Sequence, residues 1–183
     1  MRRCAGRVHG FDAGGDGYQA MKKLDPVQLA MSLGILALAL ILGALGFQYL
    51  AHLPPCEMCM WQRYPHIAAA IIGIGGALLI YGGIIDRKAG SALVVITALL
   101  IAVSGVLGVY HAGVEWHWWQ GPTSCTGPAF QFQGTLDLNA PMVRCDAAAW
   151  RLFGLSLAGY NALISLGVAV GAFFLLAGSK KAK

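Results

Sequence analysis

Four long apolar stretches of this chain carry no Asp, Glu, Lys or Arg. They lie between Asp25 and Glu57, Arg63 and Asp86, Lys88 and Glu115, and Arg151 and Lys180. The gaps hold 31, 22, 26 and 28 residues. A helix needs roughly 20 apolar residues to cross the hydrocarbon core, so each gap suffices for one span. The pattern predicts spans over about 27–50, 66–85, 91–110 and 155–176. A helix makes its own backbone hydrogen bonds, which is the condition lipid imposes. The expected fold is therefore an all-α, four-helix transmembrane bundle over residues 25–178. It has one short connecting loop, 51–65, and one long one, 111–154.

Composition agrees with the pattern. The chain is 57% hydrophobic and only 11% charged, where a soluble domain carries about a quarter charged residues. The first span reads as a retained anchor. Its apolar core is too long for a signal peptide, and no small-residue cleavage site follows it. Residues 1–24 are polar and Gly-rich and are expected to be a disordered tail. Residues 179–183 are a short basic tail.

Lys and Arg collect on cytoplasmic loops. On one side of the predicted bundle lie Arg2, Arg3, Arg7, Lys22, Lys23, Arg87, Lys88, Lys180, Lys181 and Lys183. The other side has only Arg63, Arg144 and Arg151. Both termini are thus expected in the cytoplasm, with loops 51–65 and 111–154 outside. The net charge of +5 is mainly a topology signal. Its scattered cations accompany no nucleic-acid-binding motif. A transporter or pump would keep ionisable groups inside its spans, and the four span cores have no Asp, Glu, Lys or Arg. Tyr110, Trp116, Trp118 and Trp119 sit where aromatic rings favour the membrane interface.

Charge counting also sorts the cysteines. Cys56, Cys59, Cys125 and Cys145 fall in the outer loops, where disulfides persist. Cys4 alone falls in the cytoplasmic tail. The Cys-Glu-Met-Cys run at 56–59 has several readings. Zinc is one, but it would want a second close pair, and Cys125 and Cys145 are far apart in sequence. A structural disulfide is another, and it is a serious reading for Cys125 and Cys145, since a bridge would pin the long loop. Between residues three apart it restrains little chain entropy, which favours a redox-active role for Cys56 and Cys59. Cys59 stands at the start of the second span, where a helix N-terminus stabilises a thiolate. Arg63 shares its helix face four residues on, and a guanidinium there stabilises a thiolate and donates to a carbonyl oxygen.

The run Pro55-Cys56-Glu57-Met58-Cys59-Met60-Trp61-Gln62-Arg63 resembles the signature of the disulfide bond formation protein B (DsbB) family. So does Cys145-Asp-Ala-Ala-Ala-Trp150 followed by Phe153-Gly154-Leu155-Ser156. The resemblance runs from about Leu24 to the C-terminus. It implies a quinone-dependent thiol oxidase of the bacterial inner membrane, with its cysteine loops in the periplasm. A reduced DsbA-like dithiol protein would attack at Cys125. Cys145 would be released and would attack Cys56. Cys59 would be left facing ubiquinone or menaquinone, with Arg63 holding the quinone and stabilising the charge transfer. The family places a His near the outer end of its third span. Tyr110-His111 occupies that region here, without the residue the family has between Tyr and His, and His111 is the candidate for the quinone site. No resident metal is implied. The competing readings are a family paralogue dedicated to one client and a non-catalytic membrane protein with structural disulfides. Gly167 and Gly171 suggest close helix packing, within the bundle or at a dimer face. A short surface helix is a weak expectation around Asp137–Pro141.

Membrane-impermeant thiol labelling checks the topology. After reduction, the outer-loop cysteines should label from the outer face of intact cells and Cys4 only after permeabilisation. Labelling of Cys56 or Cys145 from the cytosol would break the predicted electron route.

Overall fold

The computed structural model describes residues 25–126 and 143–181. The expectations for residues 1–24, including Cys4, and for a helix near Asp137–Pro141 lie outside the described residues. Four helices are long and apolar enough to cross a membrane. We number them α1 (Pro26–Tyr49), α2 (Glu57–Tyr81), α3 (Gly90–Glu115) and α4 (Leu157–Lys181). A single 3-10 turn, Arg87–Ala89, joins α2 to α3.

Each helix start has a local cause. Asp25 caps α1, its carboxylate accepting from the Val27 N–H at 3.2 Å, and Pro26 takes the first helical position. Arg87 reaches across from the α2–α3 connection to pair with Asp25. The second helix starts at Glu57 rather than at His66, so the expected loop 51–65 is shorter than its pattern suggested. Cys56 caps this helix with its sulfur, and Glu57 lies in the electropositive first turn. Pro65 sits inside α2, where it removes one backbone donor. Farther along, the helix widens into a π-helical segment at Ile71–Gly75 before ending at Tyr81. It stops short of Ile85 because Gly83 adopts a positive φ of 74°.

Helix α3 continues past Tyr110 to Glu115, carrying His111 inside the helix rather than in a loop. The indole N–H of Trp119 donates to the Tyr110 carbonyl at 2.8 Å, and the two rings stack at 6.2 Å. The Trp119 ring covers Gly113 so closely that a Cβ there would lie 2.0 Å from it. Helix α4 begins at Leu157 rather than Leu155. Arg151–Leu152 (β1) and Leu155–Ser156 (β2) pair first as a tiny antiparallel hairpin. Its two turn residues, Phe153 and Gly154, have positive φ of 49° and 82°, as a two-residue hairpin turn requires.

The bundle holds polar side chains within its apolar core and turns large apolar ones outward. Gln62, His66, Thr97, Ser104 and Ser165 are buried, whereas Ile71 and Phe174 are 67% and 73% exposed. Lipid is as apolar as leucine, so helices associate through close packing and hydrogen bonds. The inner cluster accordingly uses small residues: Ala30, Ala37, Ala69, Ala70, Ala98 and Ala172 beside Leu33 and Ile101. Helices α1 and α2 meet backbone to backbone at Gly34 and Gly73. A Cβ on Gly73 would lie 2.7 Å from the Ala30 carbonyl oxygen, and one on Gly34 would lie 2.7 Å from the Ile74 nitrogen. Gly167 and Gly171 depart from the expected packing within the bundle. A Cβ on either meets nothing within 4 Å, because both sit on the open side of α4.

The crossing can be tested against that open side. Gly73→Leu should cost about 1–3 kcal/mol, read as a lower melting temperature in detergent, while Gly167→Leu should leave it unchanged. Equal melting temperatures for the two variants would refute the close approach.

Candidate redox site at one end of the bundle

All four loop cysteines named from the sequence converge at one end of the bundle. Cys125 and Cys145 form a disulfide, with Cα atoms 5.4 Å apart. Cys56 and Cys59 are free thiols. Cys56, Met58, Val114 and Cys145 form one buried cluster, against which Cys59 and Cys125 pack. The two bridging cysteines differ in access. Cys145 is 0% exposed, whereas Cys125 is half-buried. Several bonds hold the long loop in place. The Cys145 N–H donates to the Cys125 carbonyl at 2.9 Å. Ser124 donates to the Glu57 carboxylate in the first turn of α2. Arg144 grips Asp146 next to Cys145, and that ion-paired hydrogen bond holds the Asp146 carboxyl below its usual range.

Cys56 occupies the cap position of α2, a site where Ser, Thr, Asp or Asn is usual. Its sulfur accepts from the Cys59 N–H at 3.1 Å. The same sulfur lies 3.6 Å from His111 Nε2 on α3. The Cys56 thiol is pushed above its ordinary range, first by the hydrogen bond it shares with the Cys59 side chain and then by burial.

Arg63 and His111, both named as quinone-site candidates, separate. His111 is 3% exposed and faces Cys56. Arg63 points to α1, donating to Gln48 Oε1 at 2.6 Å and to the Ala44 carbonyl at 3.3 Å. Three further residues join the site without having been singled out from the sequence. Glu115 is buried, with Oε1 3.8 Å from His111 Nε2. Gln62 touches His111 Nδ1 at 2.8 Å, and Asn161 of α4 touches Gln62 at 2.8 Å. A side chain on α4 gives no sequence sign of meeting one on α2, and Glu115 reads from sequence only as the charge that ends a span.

The ligand atoms of Cys56, Cys59 and His111 lie within 4.8 Å of one another, so α3 brings a third donor to the pair that spacing alone left incomplete for zinc. A cation would need the Nε2 lone pair of His111. The amide nitrogen of Gln62 faces Nδ1, which leaves the ring proton on Nε2. Cys56, Cys59, His111 and Glu115 also line a cavity of about 50 Å³ that Trp150 and Pro54 help to close.

Comparisons with known proteins agree on the kind of protein that carries such a site. The family model for disulfide bond formation protein DsbB matches residues 26–175. Disulfide bond formation protein B of Aromatoleum aromaticum is 31% identical over 162 residues, covering 81% of this chain and 92% of that protein. Its counterpart in Dechloromonas aromatica is 26% identical over 157 residues, covering 79% and 88%. The Burkholderia thailandensis protein is 35% identical over a shorter match of 82 residues, 45% of this chain and 43% of its own length. No solved structure matches. Four apolar helices, a Cys-x-x-Cys at the cap of the second and a bridged pair folded onto it accompany a match over nearly the whole helical region, and the chain belongs to the DsbB family.

Proposed function

We propose that this chain is a thiol oxidase of the bacterial inner membrane, with both termini in the cytoplasm. It reoxidises a periplasmic DsbA-like dithiol protein and passes the electrons to a membrane quinone, ubiquinone or menaquinone. The observation that carries this reading is the asymmetry of the bridged pair. Cys125 is reachable, and Cys145 is fully buried in the same cluster as Cys56.

That asymmetry sets an order of exchange. A partner thiolate attacks the half-buried, more accessible Cys125 sulfur and displaces Cys145 as a thiolate. When Cys56 and Cys59 are oxidised, the released Cys145 stands beside Cys56 and attacks it, displacing Cys59. The partner's second thiol then resolves its bond to Cys125, and the freed Cys125 thiolate attacks Cys145, which displaces Cys56 and closes Cys125–Cys145 again. The net result is an oxidised partner and the reduced pair Cys56 and Cys59. Exchange of this kind needs only a thiolate and a disulfide that can touch.

A quinone supplies the final acceptor, taking two electrons and two protons as the Cys56–Cys59 bond re-forms. The residues fit such a group. Arg63 carries five N–H donors, and its bonds to Gln48 and Ala44 use two of them. On the neighbouring face of α1, Gly43, Gly46, Phe47, Leu50 and Ala51 line a shallow, open apolar depression. It opens toward the lipid-facing surface, where an isoprenoid quinone resides.

Two substitutions test the reading with purified protein, a reduced dithiol partner and a quinone. Cys59→Ser should abolish quinone reduction while leaving one exchange at Cys125. Arg63→Ala should lower kcat/KM for the quinone by roughly 10–100-fold, the loss of a hydrogen bond from a charged donor. Wild-type quinone reduction by Cys59→Ser would reject the mechanism and leave a scaffold with structural disulfides.

A further inference from the structure

Behind His111 lies a run of polar side chains from three helices, buried except for the half-buried Asn161, that the exchange scheme does not use. It contains Gln62 and His66 of α2, Ser104 of α3, and Asn161 and Ser165 of α4. The hydrogen-bond directions in this run can be assigned from its fixed ends. Gln62 Nε2 lies 3.1 Å from the Met58 carbonyl oxygen. A backbone carbonyl only accepts, so that end of the amide is the NH2 group. The same nitrogen lies 2.8 Å from His111 Nδ1. Nδ1 must therefore accept, which excludes the doubly protonated ring and leaves the single proton on Nε2.

The same reasoning fixes Asn161. Its Nδ2 lies 3.1 Å from the Ser104 carbonyl oxygen, so it too is a donor. It donates to Gln62 Oε1 at 2.8 Å. Its Oδ1 accepts from Ser165 Oγ at 2.9 Å and from His66 Nε2 at 2.9 Å. The Ser104 hydroxyl donates to the Gln62 carbonyl at 2.8 Å, which holds α2 and α3 in register at this level. Every link then runs one way: His66 to Asn161, Asn161 to Gln62, Gln62 to His111, and His111 Nε2–H to the Cys56 sulfur at 3.6 Å. Hydrogen bonds in series polarise one another in a low-dielectric interior.

We propose that Gln62 and Asn161 are positioning residues that lock His111 as the Nε2–H tautomer, so that a one-way donor chain ends on the sulfur of Cys56. The consequence for chemistry rests on the thiol-oxidase reading above. To bond to Cys59, Cys56 gives up its thiol proton and carries negative charge while its sulfur attacks. Two donors meet that charge, the Cys59 N–H and His111 Nε2–H. The opposite tautomer would present a lone pair to the same sulfur and oppose the step. The Cys145 backbone carbonyl also accepts from the ring, whereas Glu115 Oε1, 3.8 Å from Nε2, lies beyond hydrogen-bond reach.

The tautomer can be read without any variant of the network. In reduced protein with labelled histidines, ring 15N NMR should show His111 protonated at Nε2 and bare at Nδ1, with His111→Ala identifying the signals. A protonated Nδ1 would overturn the proposal. A double-mutant cycle supplies the second readout, the rate of Cys56 alkylation at fixed pH in a Cys59→Ser background, followed on the Cys56 peptide. Gln62→Leu should slow it about tenfold, the effect of one hydrogen bond to a charged group, and should have no effect once His111 is Ala. Equal slowing in both backgrounds would mean that Gln62 serves packing alone. A correct tautomer without quinone reduction would sink the oxidase reading instead, so the two failures are distinguishable.

Discussion

Lipid offers no hydrogen bonds, and that constraint orders everything else in this molecule. A polar group within the hydrocarbon layer must find its partner inside the bundle. The glutamine, asparagine, serines and histidines of α2, α3 and α4 therefore turn inward and bond to one another, with His66 Nδ1 left without a partner, while residues such as Ile71 and Phe174 turn outward. Once the two amides are pinned by backbone carbonyls, their orientations are no longer free. A solvated cluster would exchange its partners with water. Here each bond dictates the next, and the last falls on a cysteine.

Packing serves the same end. With no hydrophobic force to drive helices together in lipid, close approach depends on small residues. The Gly34–Gly73 contact and the alanine-rich inner cluster bring the backbones close. That closeness lets short side chains such as Ser104 and Asn161 bridge between helices. Below Pro65, the π segment of α2 gives this helix a second irregularity on its path away from the redox end.

At the outer end, capping and chemistry coincide. The orphan amides of a helix start need acceptors, and α2 meets that need with a cysteine sulfur. The cap is thus held at the point where the bridged loop lies down, and Cys145 has nowhere to go but against Cys56.

The bundle and its cysteines were legible in the chain because their signals are local. Four uncharged gaps set the helix count, and Cys56-Glu-Met-Cys59 with Arg63 four residues on marked the redox end. Helix ends were less legible. The start at Glu57 depends on a sulfur cap, and the late start of α4 on a two-residue hairpin, both weak patterns in sequence. The partnership of His111 was not legible at all. From sequence it was grouped with Arg63, yet α3 turns it toward Cys56 while Arg63 turns to α1. Periodicity says which face a residue occupies, but not which neighbour meets it there. Only the tertiary structure set Gln62 and Asn161, 99 residues apart, within 2.8 Å of each other. The direction of their hydrogen bonds follows from that meeting, through backbone carbonyls that accept and never donate.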